Sequence, residues 1–339
     1  MTTPDNLFYI QWHITDKCNL RCIHCYQTNF TSIGELDLTN LRKAIDNVLD
    51  TLKKWDKYLK ITVTGGEPFL KNEFWDIINY LETQRRVTEI SIITNGTIID
   101  KYIQQLHSII KLKEILVSLD GTVMDINDNI RNRGVYDKVV KNIKLLKKNN
   151  LYVCLMYTLM KRNLHNAKYI HEFALNIGID AYIIERFIPL GVGTGIKNEI
   201  VSGQEIRELY EHIFLQSNIE FNEEEIARYR ALRVELNNSG KIELFGAPCT
   251  AGYDAICVLP DGTVLPCRRF YLPIGNLLKQ SLDEIWDKSD VLKNIRNRTK
   301  LKGRCNGCTI SDCYGCRAIA YAVTGDYLSE DPQCFIKNR

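Results

Sequence analysis

From residue 8 to about 190, short runs rich in β-branched and aromatic residues alternate with longer stretches whose apolar positions recur every three or four residues. The short runs lie near 8–15, 58–64, 89–94, 114–119, 152–159 and 180–188 and read as strands. Helical periodicity falls between them, near 39–54, 72–83, 100–111, 135–149 and 164–177. Asp37 is placed to cap the first helix, and Asn149-Asn150 to stop the fourth. Six strand–helix repeats predict a parallel sheet covered by helices and joined by right-handed crossovers. A closed eight-stranded barrel takes about 250 residues, so the span predicts a partial, open (β/α)6 barrel. In the first strand Gln11, His13 and Thr15 alternate with Ile10, Trp12 and Ile14. The polar set then faces the barrel interior, as a cavity lining or as a satisfied polar layer.

The pattern changes beyond the sixth strand. Pro189 to Gly195 is glycine-rich, but its last glycine comes too early for G-x-G-x-x-G, so a flexible connection at the barrel mouth is expected. Residues 204–237 read as a solvated, charged helix, with Glu223 to Glu225 followed by Arg228, Arg230 and Arg233 at pairing distance. After residue 245 the chain turns to Cys, Gly and Pro punctuation. There Asp261-Gly262, between two apolar runs, signals a hairpin with Cys257 and Cys267 on facing arms. The basic run at 288–304 reads as a solvated connector. These changes divide the chain into a barrel domain at 1–215, a helical linker at 216–245 and a cysteine-rich domain at 246–339.

Composition narrows the class. In 339 residues, 45% are hydrophobic and 25% charged, as in a soluble globular protein. A formal charge of +3 gives no pull towards nucleic acid or membranes. No apolar run approaches the roughly 20 residues of a bilayer span, and no secretion signal is visible. The 12 cysteines therefore suggest metal ligation in a reducing cytoplasm and not disulfides.

Cys18-x3-Cys22-x2-Cys25 can hold three corners of a 4Fe–4S cubane, leaving the fourth iron open for a small ligand. A zinc site or three unrelated cysteines are the alternatives on spacing alone. The C-terminal set, Cys249, Cys257, Cys267, Cys305, Cys308, Cys313, Cys316 and Cys334, has the complement of two cubanes or of two structural zinc sites. Cys154 stands outside every motif, on a predicted strand. There it is a buried small hydrophobe, or else a thiol donating hydrogen to a substrate radical.

These motifs, in this order, resemble the radical SAM superfamily. Gly65-Gly66-Glu67-Pro68 follows the second strand, Thr94-Asn95 closes the third, and Ser118 and Asp120 close the fourth. The resemblance implies that they bind S-adenosylmethionine (SAM), with the GGEP run on its amino group. It also implies that His24, at a position usually aromatic, stacks near the adenine. SAM on the N-terminal cluster would be cleaved reductively to a 5′-deoxyadenosyl radical. The C-terminal array resembles the SPASM extension. That likeness implies one auxiliary 4Fe–4S cluster on Cys249, Cys257, Cys267 and Cys316, and a second on Cys305, Cys308, Cys313 and Cys334. The two later gaps in the four-cysteine run each depart from the usual SPASM spacing by one residue, which leaves the individual assignments of Cys313 and Cys316 open.

Enzymes with this extension mostly modify peptides or proteins, so the leading expectation is a maturase of a ribosomally made peptide, forming a thioether or C–C crosslink or an epimer. Its partners would be a peptide or protein substrate and an electron donor of flavodoxin or ferredoxin type. The chain starts at the first barrel strand, so a separate leader-peptide-binding protein, or the barrel mouth, would recognise the leader. An anaerobic sulfatase maturase is the alternative, although its presumed base, an Asp after the third SPASM cysteine, is here Arg268. A tetrapyrrole or quinone-cofactor maturase is a third enzymatic reading, and a non-catalytic iron–sulfur or zinc protein the reading from another class.

Overall fold

The β-branched runs pair side by side in the order they occur. Strand β1 (Leu7–His13) leads to helix α1 (Leu38–Lys54), β2 (Tyr58–Thr64), α2 (Phe74–Thr83) and β3 (Val87–Thr94). Then come α3 (Ile103–His107), β4 (Leu112–Ser118), α4 (Met124–Arg131), α5 (Val135–Lys148) and β5 (Val153–Leu159). Helices α6 (Lys161–Ala167) and α7 (Ile170–Ile177) precede β6 (Ala181–Arg186). This is a computed structural model; it describes residues 6–216, 219–236 and 242–336, with the backbone alone at 242–248.

All six strands run parallel in sequence order, with neither edge closed on the other, which is the open (β/α)6 arrangement. Asp37 caps α1 by accepting from the Asn40 amide at 2.8 Å, and Asn149 ends α5. Helix α1 buries Leu41, Ala44, Ile45, Val48 and Leu52 against the sheet. At roughly 1.5–3 kcal/mol for each large aliphatic side chain, this face outweighs any propensity effect in the helix.

Residues after the sixth strand depart from the expected charged helix. Helix α8 (Gly203–Gln216) ends early, α9 (Glu223–Ile226) is a single turn, and β7 (Tyr229–Leu236) and β8 (Ile242–Pro248) form an antiparallel pair on the β6 edge. The physical reason lies in the arginines. Successive residues of β7 point to opposite faces, so Arg233 reaches Glu114 at 2.8 Å on one side and Arg230 reaches Asp331 at 3.0 Å on the other, which a solvated helix would not permit. Of the expected helical linker at 216–245, residues 217, 218 and 237–241 lie outside the described residues.

On the other edge, β9 (Ala255–Val258) adds in parallel to β1, followed by β10 (Thr263–Leu265) and β11 (Gly275–Asn276), both antiparallel. One sheet of 11 strands thus runs from the cysteine-rich segment through the barrel. The Asp261-Gly262 hairpin forms, with Cys257 opposite Leu265. Helices α10 (Leu282–Lys288), α11 (Asp290–Arg296) and α12 (Arg317–Thr324) complete the chain. The basic run is more than a solvated connector: Arg296 lies on the Trp286 ring at 4.2 Å and donates to the Gly252 carbonyl, while Arg298 donates to that of Cys308. No described helix is long and apolar enough to cross a membrane.

Candidate active site

The loop after β1 carries Cys18, Cys22 and Cys25, and three neighbouring segments, the turn after β2, the end of α4 and residues 191–195, hold it by its backbone. Gly66 and Glu67 donate their amides to the carbonyls of Thr15 and Lys17 at 2.7 and 2.8 Å. A Cβ on Gly65 would stand 2.3 Å from the Thr15 carbonyl oxygen, and one on Gly66 2.5 Å from that of Lys17. The two glycines are what allow this approach. The C-terminus of α4 supports the other side, where the Ile23 amide meets the Ile130 carbonyl at 3.1 Å and the Arg21 amide meets Asn132 at 3.0 Å. The segment 191–195 packs on the same loop, with the Gly193 amide on the Cys25 carbonyl at 3.0 Å. It is a docked brace and not the flexible connection that its glycines suggested.

A cavity of about 500 Å³ opens beside this loop. All three cysteines line it, together with His24, Gly65, Gly66, Thr94, Asn95 and Ser118. Three residues expected to contact SAM do not reach it: Glu67, Pro68 and Asp120. Glu67 is fully buried and accepts from the Thr94 hydroxyl and the Asn95 amide, both at 2.8 Å, so it locks β2 to β3. Asp120 is also fully buried; it accepts from the Thr158 amide and pairs with Arg131 at 2.7 Å and His24 at 3.4 Å. Burial, only partly offset by Asp120, pushes the His24 imidazole down to about 4, so it is neutral at physiological pH. Cys154 packs among Leu116 and Ala181 in the barrel interior and does not line the cavity. Burial pushes its thiol far above the usual range. Of the polar face on β1, Gln11 lines the cavity, His13 is buried edge-on against Tyr26, and Thr15 bonds Glu35.

Burial pushes the Glu67 carboxyl up to about 7, against the Asn95, Thr94 and Phe69 donors that favour its charged form. A raised carboxyl holds its proton more tightly in the folded state, so from the ordinary glutamate value of about 4.3 up to about 7 stability falls as pH rises. Thermal midpoints should therefore drop more steeply over that window in the wild type than in Glu67→Gln. Parallel curves would show that Glu67 is not the titrating group.

The residues suit the cofactors expected of them. The Leu20 amide and the Asn95 side-chain amide donate to Cys18 Sγ at 3.4 and 3.8 Å, the type of donor that surrounds cluster thiolates. In the C-terminal array Cys249, Cys267 and Cys316 line one small cavity of about 70 Å³. Cys257, expected with them, lies next to it in an apolar group with Leu259 and Leu265. Cys305 accepts from Arg317 at 3.6 Å and the Asp331 amide at 3.5 Å, and Cys313 from Arg230 at 3.1 Å. Six of the thiols surround cavities, and among the described residues no three His, Cys, Asp or Glu side chains could hold a single metal ion.

Several site residues carried no sequence signal. Arg131 was hidden in a helix that the periodicity did not reveal, and Arg186 looked like the end of a strand. Arg186 and Arg230 both pair with Asp331, at 3.3 and 3.0 Å, and tie the barrel edge to the cysteine array.

Comparison with known proteins supplies the remaining context. The pattern of the radical SAM superfamily matches residues 12–174, and that of the SPASM iron–sulfur cluster-binding domain matches 249–309. An AdoMet-dependent heme synthase of Methanosarcina barkeri (strain Fusaro) is 29% identical, over 97% of this chain and 96% of its own length. The antilisterial bacteriocin subtilosin biosynthesis protein AlbA of Bacillus subtilis (strain 168) is 24% identical, over 91% of this chain and 69% of its own. The crystal structure of Streptococcus suis SuiB bound to its precursor peptide SuiA superposes with a TM-score of 0.73 at 17% identity, covering 98% of this chain and 76% of that one. A likeness at that identity concerns the fold alone.

Proposed function

Because the chain is a radical SAM enzyme with a SPASM domain, built to use SAM and 4Fe–4S clusters, we propose that it oxidatively modifies a carboxylate-bearing side chain of an iron porphyrin. One observation carries this reading: the cavity has apolar walls, among them Ile93, Leu116, Met156, Ile183 and Phe187, and its cations outnumber its acids. Five arginines and one lysine line it, against three glutamates; with Asp120 and Asp331 behind the wall paired to two of the arginines, Arg268 is the cation left over. Apolar walls with an excess of cations suit a flat, apolar, anionic ring. The end-to-end similarity to a heme synthase supports the same class.

Bound SAM supplies one-electron cleavage and, from it, an abstractor of unactivated hydrogen. The protein's part is placement. Cys18, Cys22 and Cys25 would hold the cluster, and Asn95, Ser118 and the two glycines would shape the SAM side of the cavity. Arg131 and neutral His24, both tied to Asp120, fix the wall between them. On a propionate side chain, loss of a hydrogen atom beside the ring followed by loss of carbon dioxide and one electron leaves a vinyl group. The balance needs an electron acceptor, the chemistry that further iron–sulfur clusters provide.

The test is anaerobic incubation of the reconstituted enzyme with SAM, reductant and iron coproporphyrin III, an iron porphyrin with propionates where heme has vinyls. Mass loss from the porphyrin in step with 5′-deoxyadenosine is the expected result; 5′-deoxyadenosine with unaltered porphyrin would refute it. The second reading, maturation of a ribosomally made peptide, is favoured by the similarity to AlbA. It predicts that a precursor peptide, and no porphyrin, accelerates SAM cleavage.

A further inference from the structure

Of the six cations that line the cavity, five have carboxylate partners: Lys60 with Glu89, Arg131 with Asp120, Arg186 with Asp331, Arg233 with Glu114 and Arg269 with Glu185. Arg268 has none among the described residues. It is 4% exposed, and its Nε and Nη1 atoms are buried without any hydrogen-bond partner. Its guanidinium lies over the Tyr26 ring at 4.1 Å, and its charge acts on Tyr26, His13, Asp16, Cys25 and Cys257. Leaving a buried guanidinium unpaired costs several kcal/mol, so such a group normally has an acceptor.

The position of Arg268 shows where an acceptor can arrive. Besides the main cavity, Arg268 lines a second one of about 580 Å³, between the cysteine loop and the Asp261 hairpin. Its polar walls are acidic, with Asp16, Glu35 and Asp261 beside Gln27 and Asn29, and Ile33 and Tyr271, 84% and 51% exposed, bring apolar surface to it. Arg268 is the cation common to both cavities. We infer that Arg268 anchors a substrate carboxylate at this junction, with the ring in the first cavity, since the three acids of the second repel further carboxylates. The anchor rests on the porphyrin reading for the identity of the substrate, but its own chemistry asks only for a carboxylate. It explains why a base-bearing Asp is absent here: the site presents a fixed fork for a carboxylate and not a proton acceptor.

The experiment is calorimetric titration of the anaerobically reconstituted holoenzyme with iron coproporphyrin III and with its tetramethyl ester, alongside Arg268→Met and Arg268→Lys. Wild type should favour the acid over the ester by about tenfold or more. Arg268→Met should erase that preference and Arg268→Lys keep part of it, with SAM affinity unchanged in both. Iron content and thermal midpoint report folding, and the lysine variant keeps the charge if the methionine variant fails to fold. An undiminished preference in Arg268→Met overturns the anchor. So does a loss of SAM affinity with the preference intact, which assigns the guanidinium to the methionyl carboxylate of SAM. If wild type binds neither porphyrin, the porphyrin reading fails by itself, and glutarate becomes the probe. Glutarate binding that Arg268→Met abolishes sustains the anchor, and no glutarate binding overturns it.

Discussion

Replacing Cys18, Cys22 and Cys25 together with alanine is expected to remove about 4 of about 12 irons per chain and to abolish 5′-deoxyadenosine formation under dithionite. The arrangement makes the effect local. The three thiols line one cavity, and the loop that carries them is held by backbone contacts from Gly66, Glu67, Ile130 and Gly193, none of which uses a sulfur. The loop should therefore stay folded while its cluster is lost, and the C-terminal array should keep its iron. Burial pushes the Cys22 thiol up to about 12, so assembly of the wild-type site must release protons, and iron loading should accelerate with pH. Loss of all the iron in the triple variant would mean that the two ends of the chain do not assemble independently. Retained SAM cleavage would place the chemistry elsewhere.

The barrel was legible because its signal is periodic. Strands buried on both faces must be β-branched runs, and each helix must show the sheet an apolar stripe, so the six strands appear within about two residues of their expected positions. The cysteine loop was legible because three thiols at fixed spacing have few other uses. What stayed hidden depends on partners far away in sequence. Arg230 and Arg233 follow three glutamates and resemble a helical charge pattern, yet their partners are Asp331 and Glu114. Glu67 belongs to the motif expected to bind SAM, but a motif does not distinguish a residue that contacts the ligand from one that locks two strands beside it. Arg268 was legible only as the absence of an expected Asp. Its buried, unpaired guanidinium emerged when β9 added to β1 and closed the wall between two cavities.

Asp331→Asn is expected to destabilise the protein by roughly 3–5 kcal/mol, the cost of breaking a buried ion network by removing one side. Asp331 is fully buried, and its Oδ2 stands 3.0 Å from Arg230, 3.3 Å from Arg186 and 2.8 Å from the Cys316 amide. Its Oδ1 accepts from the Gln333 amide at 2.9 Å. Burial alone would raise the carboxyl, but Arg186, Arg230 and these amides outweigh it and hold it below the usual carboxylate range. Its contribution is therefore complete above the unfolded value of about 3.9 and is lost as pH falls through the lowered folded one. The asparagine removes the charge and leaves both arginines buried without a counter-ion. Urea unfolding of the holoprotein measures the loss, and Arg230→Met added to Asp331→Asn should recover part of it, since one unpaired cation is removed. The same carboxylate accepts from the Cys316 amide, so the variant should also lose iron faster from the C-terminal array than from the N-terminal loop. A cost below about 1 kcal/mol would show that the two arginines find other partners, and that the tie between barrel edge and cysteine array lies in the shared sheet instead.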